Sequence, residues 1–373
     1  MENMKYKPIF KLPYANIFHI NLFLMGYGNL DPIVILKNNK FEMFLSDETL
    51  KKCAEEGFEK SQEDGFFREF EEESLEYANQ LIRLKNKEIS YINNIQFINF
   101  LKELKEISEK LLGRYKLTEF MFFSKIEEEL GVFIKDRFSF EEVLSGKVDI
   151  LSWPEREKKL ASYMISMQVL KLKLRSIIND SWMGENSMLV KLFAQLNKRI
   201  KREDATSMNI NEIIDLFDGR YIPDISERNI YSYITWNKIK RELLITSGSE
   251  GYRKIRDFDK QIPKNEVIGT AACKGYVRGI AKIIPLSINP SEYLSKMEKG
   301  DILVSDTTGP ELMTAIEKAA AIVTDEGGLT SHAAVISREF GIPCVVGTSY
   351  ATEVFKDGDL IEVNANNGVV RKI

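Results

Sequence analysis

The C-terminal fold is decided by one stretch of sequence, TDEGGLTSHAAVISREFGIPCVVG at residues 324–347. An apolar run, Ala321–Thr324, leads into this stretch and predicts a buried strand. Gly327 and Gly328 follow, and both permit a positive φ and a close approach of a ligand to the backbone. The segment Ser331–Phe340 then predicts a helix. The order is therefore a strand, a glycine turn and a helix.

The ends of this helix carry residue types that suit them. Thr330 or Ser331 can accept backbone hydrogen bonds as the N-terminal cap. Gly341 is placed to end the helix, with Pro343 just beyond it. His332 therefore falls in the first helical turn.

A histidine in the first turn of a helix is suited to nucleophilic chemistry. The free N–H groups and the positive end of the helix favour an anion there. They disfavour a protonated imidazole, and the neutral ring is the nucleophile. If His332 attacks phosphorus, the new negative charge lies at the anion-binding end, and the small neighbours Ala333 and Ala334 leave the ring accessible. From these residues alone, a capping histidine without chemistry stays an open interpretation.

The chain divides near residue 260. Residues 266–373 hold 11 of the 22 glycines and alternate short apolar runs with turns. Strands are predicted at Val267–Gly269, Tyr276–Ile284, Asp301–Ser305, Ala321–Thr324, Cys344–Gly347, Leu360–Asn364 and Val369–Lys372, and helices at Glu311–Ala320 and Ser331–Phe340. The polar segment Asp257–Glu266 is the predicted hinge.

The first part of the chain predicts mostly helices. Apolar residues recur at helical spacing, as in Phe97, Phe100, Leu101, Leu104 and Ile107. A helix is expected over Glu155–Asn179, where Pro154 stands at the start. Ile33–Leu36 and Phe41–Leu45 predict a short hairpin, and Ile17–Gly28 predicts buried core. The predicted fold class is α+β: a mostly helical domain over 1–262, then a small α/β domain over 266–373.

The second domain resembles the mobile, swivelling phosphohistidine domain of the PEP-utilising enzymes. That family includes phosphoenolpyruvate synthase, pyruvate phosphate dikinase, enzyme I of the sugar phosphotransferase system and rifampicin phosphotransferase. The resemblance rests on Gly269–Gly279, Gly300–Val304, Thr307–Glu311, Gly327–Gly347, Lys356–Asp359 and Asn364–Val370, in that order.

The resemblance implies roles for particular residues. His332 occupies the position of the phosphorylated histidine, through Nε2. Thr330, Ser331, Gly327 and Gly328 would bind or orient the phosphoryl group. A supporting role for the helix, rather than a chemical one, is implied for Arg338.

Dikinase members of the family also contain an ATP-grasp module and an acceptor module, which in the pyruvate-using enzymes is a (β/α)₈ barrel. A barrel of about 250 residues is not expected after residue 373, nor before residue 266. The first 265 residues also lack a glycine-rich phosphate loop. The arrangement is similar to rifampicin phosphotransferase without its first module. The resemblance therefore implies a split member, phosphorylated by a separate ATP-grasp protein with ATP and Mg²⁺, and no metal site in this chain.

The helical domain is the expected acceptor domain. Its many aromatic side chains could line a pocket for a small molecule with a hydroxyl group, although aromatic residues at helical spacing usually belong to the core. The segment Gly113–Glu119 places polar groups beside aromatics and could line such a site. His19 could be a base there, or a structural histidine.

Composition excludes several other classes of protein. The formal net charge of −4 indicates no nucleic-acid partner. Cys53, Cys273 and Cys344 are far apart, which fits neither a disulfide framework nor a zinc site and favours a cytoplasmic location. Ile17–Gly28 is too short for a transmembrane helix, so no membrane association is expected.

Two alternatives to this phosphotransferase hypothesis stay open. The chain could be a phosphocarrier or regulatory protein whose helical domain binds a partner protein. Alternatively, PEP could phosphorylate His332 through a barrel on another chain.

Overall fold

The computed structural model describes residues 6–12, 16–37, 40–90, 92–134, 137–138, 140–183, 186–198, 200–220, 224–228, 230–259, 265–284, 297–329 and 331–373. Its helices are α1 Ile17–Tyr27, α2 Asp47–Gln62, α3 Phe66–Lys85, α4 Asn94–Tyr115, α5 Ser124–Ile134, α6 Phe140–Leu144, α7 Glu155–Trp182, α8 Met188–Leu196, α9 Arg202–Thr206, α10 Ile210–Phe217, α11 Gly248–Asp259, α12 Met313–Ile316, α13 His332–Phe340 and α14 Ala351–Val354. Its strands are β1 Tyr6–Leu12, β2 Ile33–Lys37, β3 Lys40–Ser46, β4 Tyr231–Asn237, β5 Glu242–Ser247, β6 Glu266–Ile268, β7 Thr270–Cys273, β8 Tyr276–Ile283, β9 Ile302–Ser305, β10 Ala321–Thr324, β11 Cys344–Val346, β12 Leu360–Asn364 and β13 Val369–Lys372.

The contacts between residues divide the chain into two compact units. One, called here the helical unit, comprises residues 1–4, 12–126 and 150–255. The other, called the mobile unit, comprises residues 5–11, 127–149 and 256–373. The predicted boundary between residues 262 and 266 stays a prediction. Of the predicted hinge, Asp257–Asp259 forms the end of α11, residues 260–264 lie outside the described ranges, and Glu266 begins β6.

Long helices form most of the helical unit, as the apolar spacing predicted. α1 is buried almost throughout, with Ile17 and Phe18 wholly enclosed, so the apolar run at its position is core. α4 begins with a capping box in which Asn93 and Gln96 satisfy each other's backbone N–H groups. α7 begins after Pro154, where the missing N–H costs nothing. The predicted helix there is confirmed and extends to Trp182.

The helical unit also contains a sheet that the sequence only partly predicted. The hairpin of β2 and β3 is confirmed, with Ile33 opposite Phe44. β2 also pairs with β4, and β4 with β5, all antiparallel. These last two strands were missed because most of their side chains are only partly buried, which leaves a weak apolar signal. The mixed α+β class is confirmed.

An eight-stranded sheet forms the centre of the mobile unit, in the order β6-β13-β12-β8-β9-β10-β11-β7. The strands β8, β9, β10 and β11 pair parallel, and the pairs outside them are antiparallel. The strands predicted from the sequence are all present, with small differences at their ends, and β7 is added. α14 was not predicted, and it packs beside the buried Phe355.

Both faces of the central parallel strands are buried. One face packs on Phe355, Ile361 and Val363, and the other on residues of α12 and α13, including Ile316 and Ala334. Parallel strands covered on both sides are apolar along their whole length, which is why β9 and β10 were readable from the sequence.

The prediction of one continuous helix over Glu311–Ala320 is wrong. The structure has a 3-10 turn, Pro310–Leu312, followed by the four residues of α12. The reason lies at its C-terminal end, where the Lys318 carbonyl accepts from the Gly300 N–H and the Ala320 N–H donates to the Asp301 carbonyl. These bonds to the start of β9 replace the bonds that a longer helix would make.

Candidate functional site

His332 is the first residue of α13. Ser331 precedes it as the N-cap, in extended conformation, and its hydroxyl accepts from the Ala334 N–H at 3.4 Å. Gly341 ends the helix in the left-handed conformation, with φ of 65°. The structure therefore places His332 where the cap residues predicted it, at the end of a helix that favours an anion.

The turn before the helix requires glycine at one position. Gly327 has φ of 113°, and a Cβ there would lie 2.8 Å from the Ser331 hydroxyl oxygen. A side chain at this position would therefore displace the helix cap. The Gly328 carbonyl accepts from the Ser331 N–H at 3.0 Å, which closes the turn. Thr330 lies outside the described residues.

The second glycine faces a carboxylate of the same unit. A Cβ on Gly328 would lie 3.4 Å from Oε2 of Glu127. Glu127 belongs to the 127–149 segment that the contacts assign to the mobile unit. One acidic group thus lies beside the turn, near where the helix end favours negative charge.

The imidazole ring is held by a residue to which the sequence assigned no role. Oγ1 of Thr308 lies 3.1 Å from Nδ1 of His332, and Thr308 is 8% exposed. When the threonine oxygen accepts from Nδ1–H, the lone pair lies on Nε2, which is then the nucleophilic atom. Thr308 belongs to the Thr307–Glu311 stretch of the family pattern, and that was the only signal for it.

Arg338 binds the backbone of the loop rather than the histidine ring. Its guanidinium donates to the Leu329 carbonyl at 2.9 Å and to the Ala272 carbonyl at 3.5 Å. It thereby connects α13, the turn before it and β7. This position suits the supporting role that the resemblance implies.

A buried carboxylate fixes the end of β10, where the turn begins. Asp325 is 2% exposed, and its Oδ1 accepts from the Thr348 hydroxyl at 3.2 Å and the Thr352 N–H at 3.3 Å. The Thr352 hydroxyl donates to Oδ2. Buried charge of this kind is tolerated because it is fully hydrogen-bonded. Asp325 was not singled out from the sequence, since its partners follow more than 20 residues later.

His19, the other histidine considered from the sequence, lies apart from the glycine turn in the sequence and has a local partner. His19 lies in α1, where its Nδ1 is 2.8 Å from the Asn16 side-chain oxygen, and burial lowers its pKa. In the described part of the chain, no group of three or more His, Cys, Asp or Glu side chains could hold a metal ion. Within the same ranges, every helix is too short or too polar to cross a lipid bilayer.

The structure thus has a histidine at the start of a helix, behind a glycine turn at the end of a parallel strand, which is the arrangement that the sequence predicted. The family described as PEP-utilising enzyme, mobile domain, matches residues 297–368. The chain therefore carries the mobile domain of the PEP-utilising enzymes.

Known relatives match between about a quarter and a half of this chain. The chain is 36% identical to phosphoenolpyruvate synthase of Aeropyrum pernix over 183 residues, which is 48% of this chain and 21% of that protein. It is 48% identical to a probable phosphoenolpyruvate synthase of Archaeoglobus fulgidus over 102 residues, 27% of this chain and 13% of the relative. It is 41% identical to the uncharacterized phosphotransferase YvkC of Bacillus subtilis over 112 residues, 30% of this chain and 13% of the relative. The domain thus belongs to a phosphotransferase family, and the chain spans about a fifth or less of these relatives.

Proposed function

We propose that this chain is a phosphotransferase component in which His332 carries a phosphoryl group from a donor to an acceptor bound by the helical unit. The observation that carries the proposal is the position of His332, at the N-terminus of α13 with Nδ1 held by Thr308. This arrangement leaves Nε2 for bonding to phosphorus and provides free backbone N–H groups for the phosphoryl oxygens.

The carrier step balances as a simple displacement. The Nε2 lone pair attacks phosphorus, the P–N bond forms and the P–O bond to the donor breaks, with the electron pair leaving on the donor oxygen. Nδ1 keeps its proton, and Thr308 accepts it in a hydrogen bond, which stabilises the charge that develops on the ring. In the second step a hydroxyl oxygen of the acceptor attacks phosphorus and gives up its proton to solvent, and the P–N bond breaks with its electron pair returning to Nε2.

The proposed donor is ATP, bound with Mg²⁺ by a separate ATP-grasp protein. One observation supports a donor site elsewhere: residues 1–265 contain no glycine-rich phosphate loop. Mg²⁺ would neutralise the phosphate charge in the partner. The names of the relatives favour a second candidate, phosphorylation of His332 by PEP through a barrel protein.

Intact-mass measurement at alkaline pH tests the carrier step, because phosphoramidates are labile in acid. The protein is incubated with Mg-ATP and a candidate ATP-grasp protein, and in parallel with PEP and a barrel protein. We expect one phosphoryl group to be gained with ATP and none in His332→Ala. Gain only in the PEP reaction would reverse the donor, and no gain with either proven partner would overturn the carrier role.

The same protein then separates an enzyme from a phosphocarrier. Phosphorylated chain, freed of the donor, is incubated with small hydroxyl compounds and with candidate partner proteins. Loss of phosphate from His332 to a small molecule supports the acceptor function of the helical unit. Loss only to a second protein would make the chain a carrier.

A further inference from the structure

A group of ionisable side chains lies inside the helical unit, in the segment Gly113–Glu119. Helix α4 ends at Tyr115, and the 3-10 turn Lys116–Thr118 follows it. Lys116 and Glu119 are only 8% and 5% exposed. Charged residues are seldom buried to this extent unless they are paired.

Glu119 is well paired. Its Oε2 accepts from Lys171 Nζ at 2.8 Å, and its Oε1 from the Tyr27 hydroxyl at 3.5 Å. Burial, followed by the charge of Glu119, raises the pKa of both Tyr27 and Tyr115. The carboxylate is thus compensated by one ammonium and enclosed by two phenol groups.

Lys116 is not paired in this way. Its Nζ donates to the neutral side-chain oxygen of Asn29. No carboxylate oxygen of the described residues lies within 4.0 Å of this ammonium. Burial lowers its pKa, and the nearby Glu56 carboxylate and Cys53 thiol oppose only part of that shift.

A buried ammonium that contacts no carboxylate directly is costly to the fold. The C-terminal end of α4 offers a partial negative charge, which is weaker than a carboxylate. Asn29, whose side chain accepts from the amine, is itself an exposed residue, and so is Glu56. An incoming anion could therefore replace the Asn29 oxygen without entering the deep core.

We propose that Lys116 and Asn29 form an anion site of the helical unit that takes the phosphate group of a phosphate monoester. This inference rests on the proposed function, because a phosphate monoester is the product of transfer from His332 to any hydroxyl compound. The phosphate would supply the counter-charge that Lys116 lacks, Asn29 would supply an amide donor, and the Glu119–Lys171 pair holds the segment in place.

Line broadening of ³¹P resonances tests the site, with inorganic phosphate and phenyl phosphate as separate probes at constant ionic strength. The proteins compared are wild type, Lys116→Met, Asn29→Asp and the control Lys52→Met. Asn29→Asp keeps the shape of the side chain but places a carboxylate beside Lys116. This carboxylate should form an ion pair with the ammonium and so exclude phosphate. Lys52 is exposed in an ordinary pair with Glu48.

We expect saturable binding by wild type and Lys52→Met. In Lys116→Met and Asn29→Asp the affinity should fall roughly tenfold or more, as for loss of one charge-assisted hydrogen bond. If Lys116→Met does not fold, Asn29→Asp decides alone. Tighter binding of phenyl phosphate than of inorganic phosphate would extend the site to the organic part of the product. Equal binding by all four proteins, or no saturable binding by wild type, would overturn the proposal.

Failure of this site and failure of the carrier role are distinguishable. Both variants should accept a phosphoryl group on His332 as wild type does, by intact mass. Loss of phosphorylation at His332 with intact phosphate binding would reject the carrier role alone. If His332 is phosphorylated normally but the two variants bind phosphate as tightly as wild type, the Lys116 site alone would be rejected.

Discussion

The two units of this protein form polar sites in opposite ways. In the mobile unit, the turn and the helix that position a partly buried histidine lie within the 24 consecutive residues 324–347, and only Thr308, which contacts the ring, lies outside them. In the helical unit, the polar side chains around Lys116 and Glu119 come from three distant segments of the chain, which contain Asn29, Glu119 and Lys171. A site formed by a local turn can be read from sequence, whereas one formed by packed helices requires the structure.

The largest expected effect is at the glycine turn of the mobile unit. Gly327→Ala places a methyl group against the Ser331 hydroxyl at a backbone conformation that alanine avoids. Phosphorylation of His332 should slow roughly hundredfold, as expected when a reacting group is displaced by about 1 Å. Quenched-flow mass measurement gives the rate. Gly341→Ala is the control, since Gly341 also has a positive φ but has open space around it, and an equal loss there would refute a specific role for the turn.

A smaller effect is expected at the buried carboxylate behind the turn. Asp325→Asn replaces a charged acceptor that has three hydrogen bonds from Thr348 and Thr352. The free energy of unfolding of the mobile unit should fall by about 2 kcal/mol. Thermal unfolding measures the change. Asp64→Asn, at a side chain 96% exposed in the helical unit, should lower the free energy of unfolding of its own unit by less than about 0.5 kcal/mol, and equal losses for the two variants would contradict the structural argument.

Loss of the contact between Thr308 and His332 should raise the activation free energy of phosphorylation by about 1 kcal/mol. Thr308→Val removes the partner of Nδ1 and keeps the shape, so phosphorylation should slow roughly fivefold. Thr308→Ser retains the hydroxyl and should restore most of the rate. The ¹⁵N chemical shifts of the imidazole report the tautomer directly. An unchanged tautomer in the valine variant would show that Thr308 has only a packing role.

The smallest effect on the carrier step is expected from the helical unit. Glu119→Gln breaks the pair with Lys171 and should lower the stability of that unit by about 1–3 kcal/mol. Phosphorylation of His332 by the donor should stay the same, because that step uses the mobile unit. Thermal unfolding and intact mass are measured on the same sample. A slower phosphorylation would show that the two units act together in the first step.

The sequence predicted the mobile unit better than the helical unit. Continuous apolar runs predicted β9 and β10, and glycine with a serine cap predicted the start of α13. β4 and β5 were missed because their half-buried side chains give little periodic signal. The length of the helix after Thr308 was also wrong, since contacts with the start of β9 ended it early.

By itself, the sequence determined the strand, the turn and the helix that place His332 at an anion-binding end, because propensity, glycine conformation and capping act over a few residues. Only the tertiary structure decided which side chains surround these local features. Thr308 reaches His332 across 24 positions, Thr352 reaches Asp325 across 27, and Lys116 reaches Asn29 across 87. Such contacts depend on how strands and helices pack, and a single sequence contains no local signal for them.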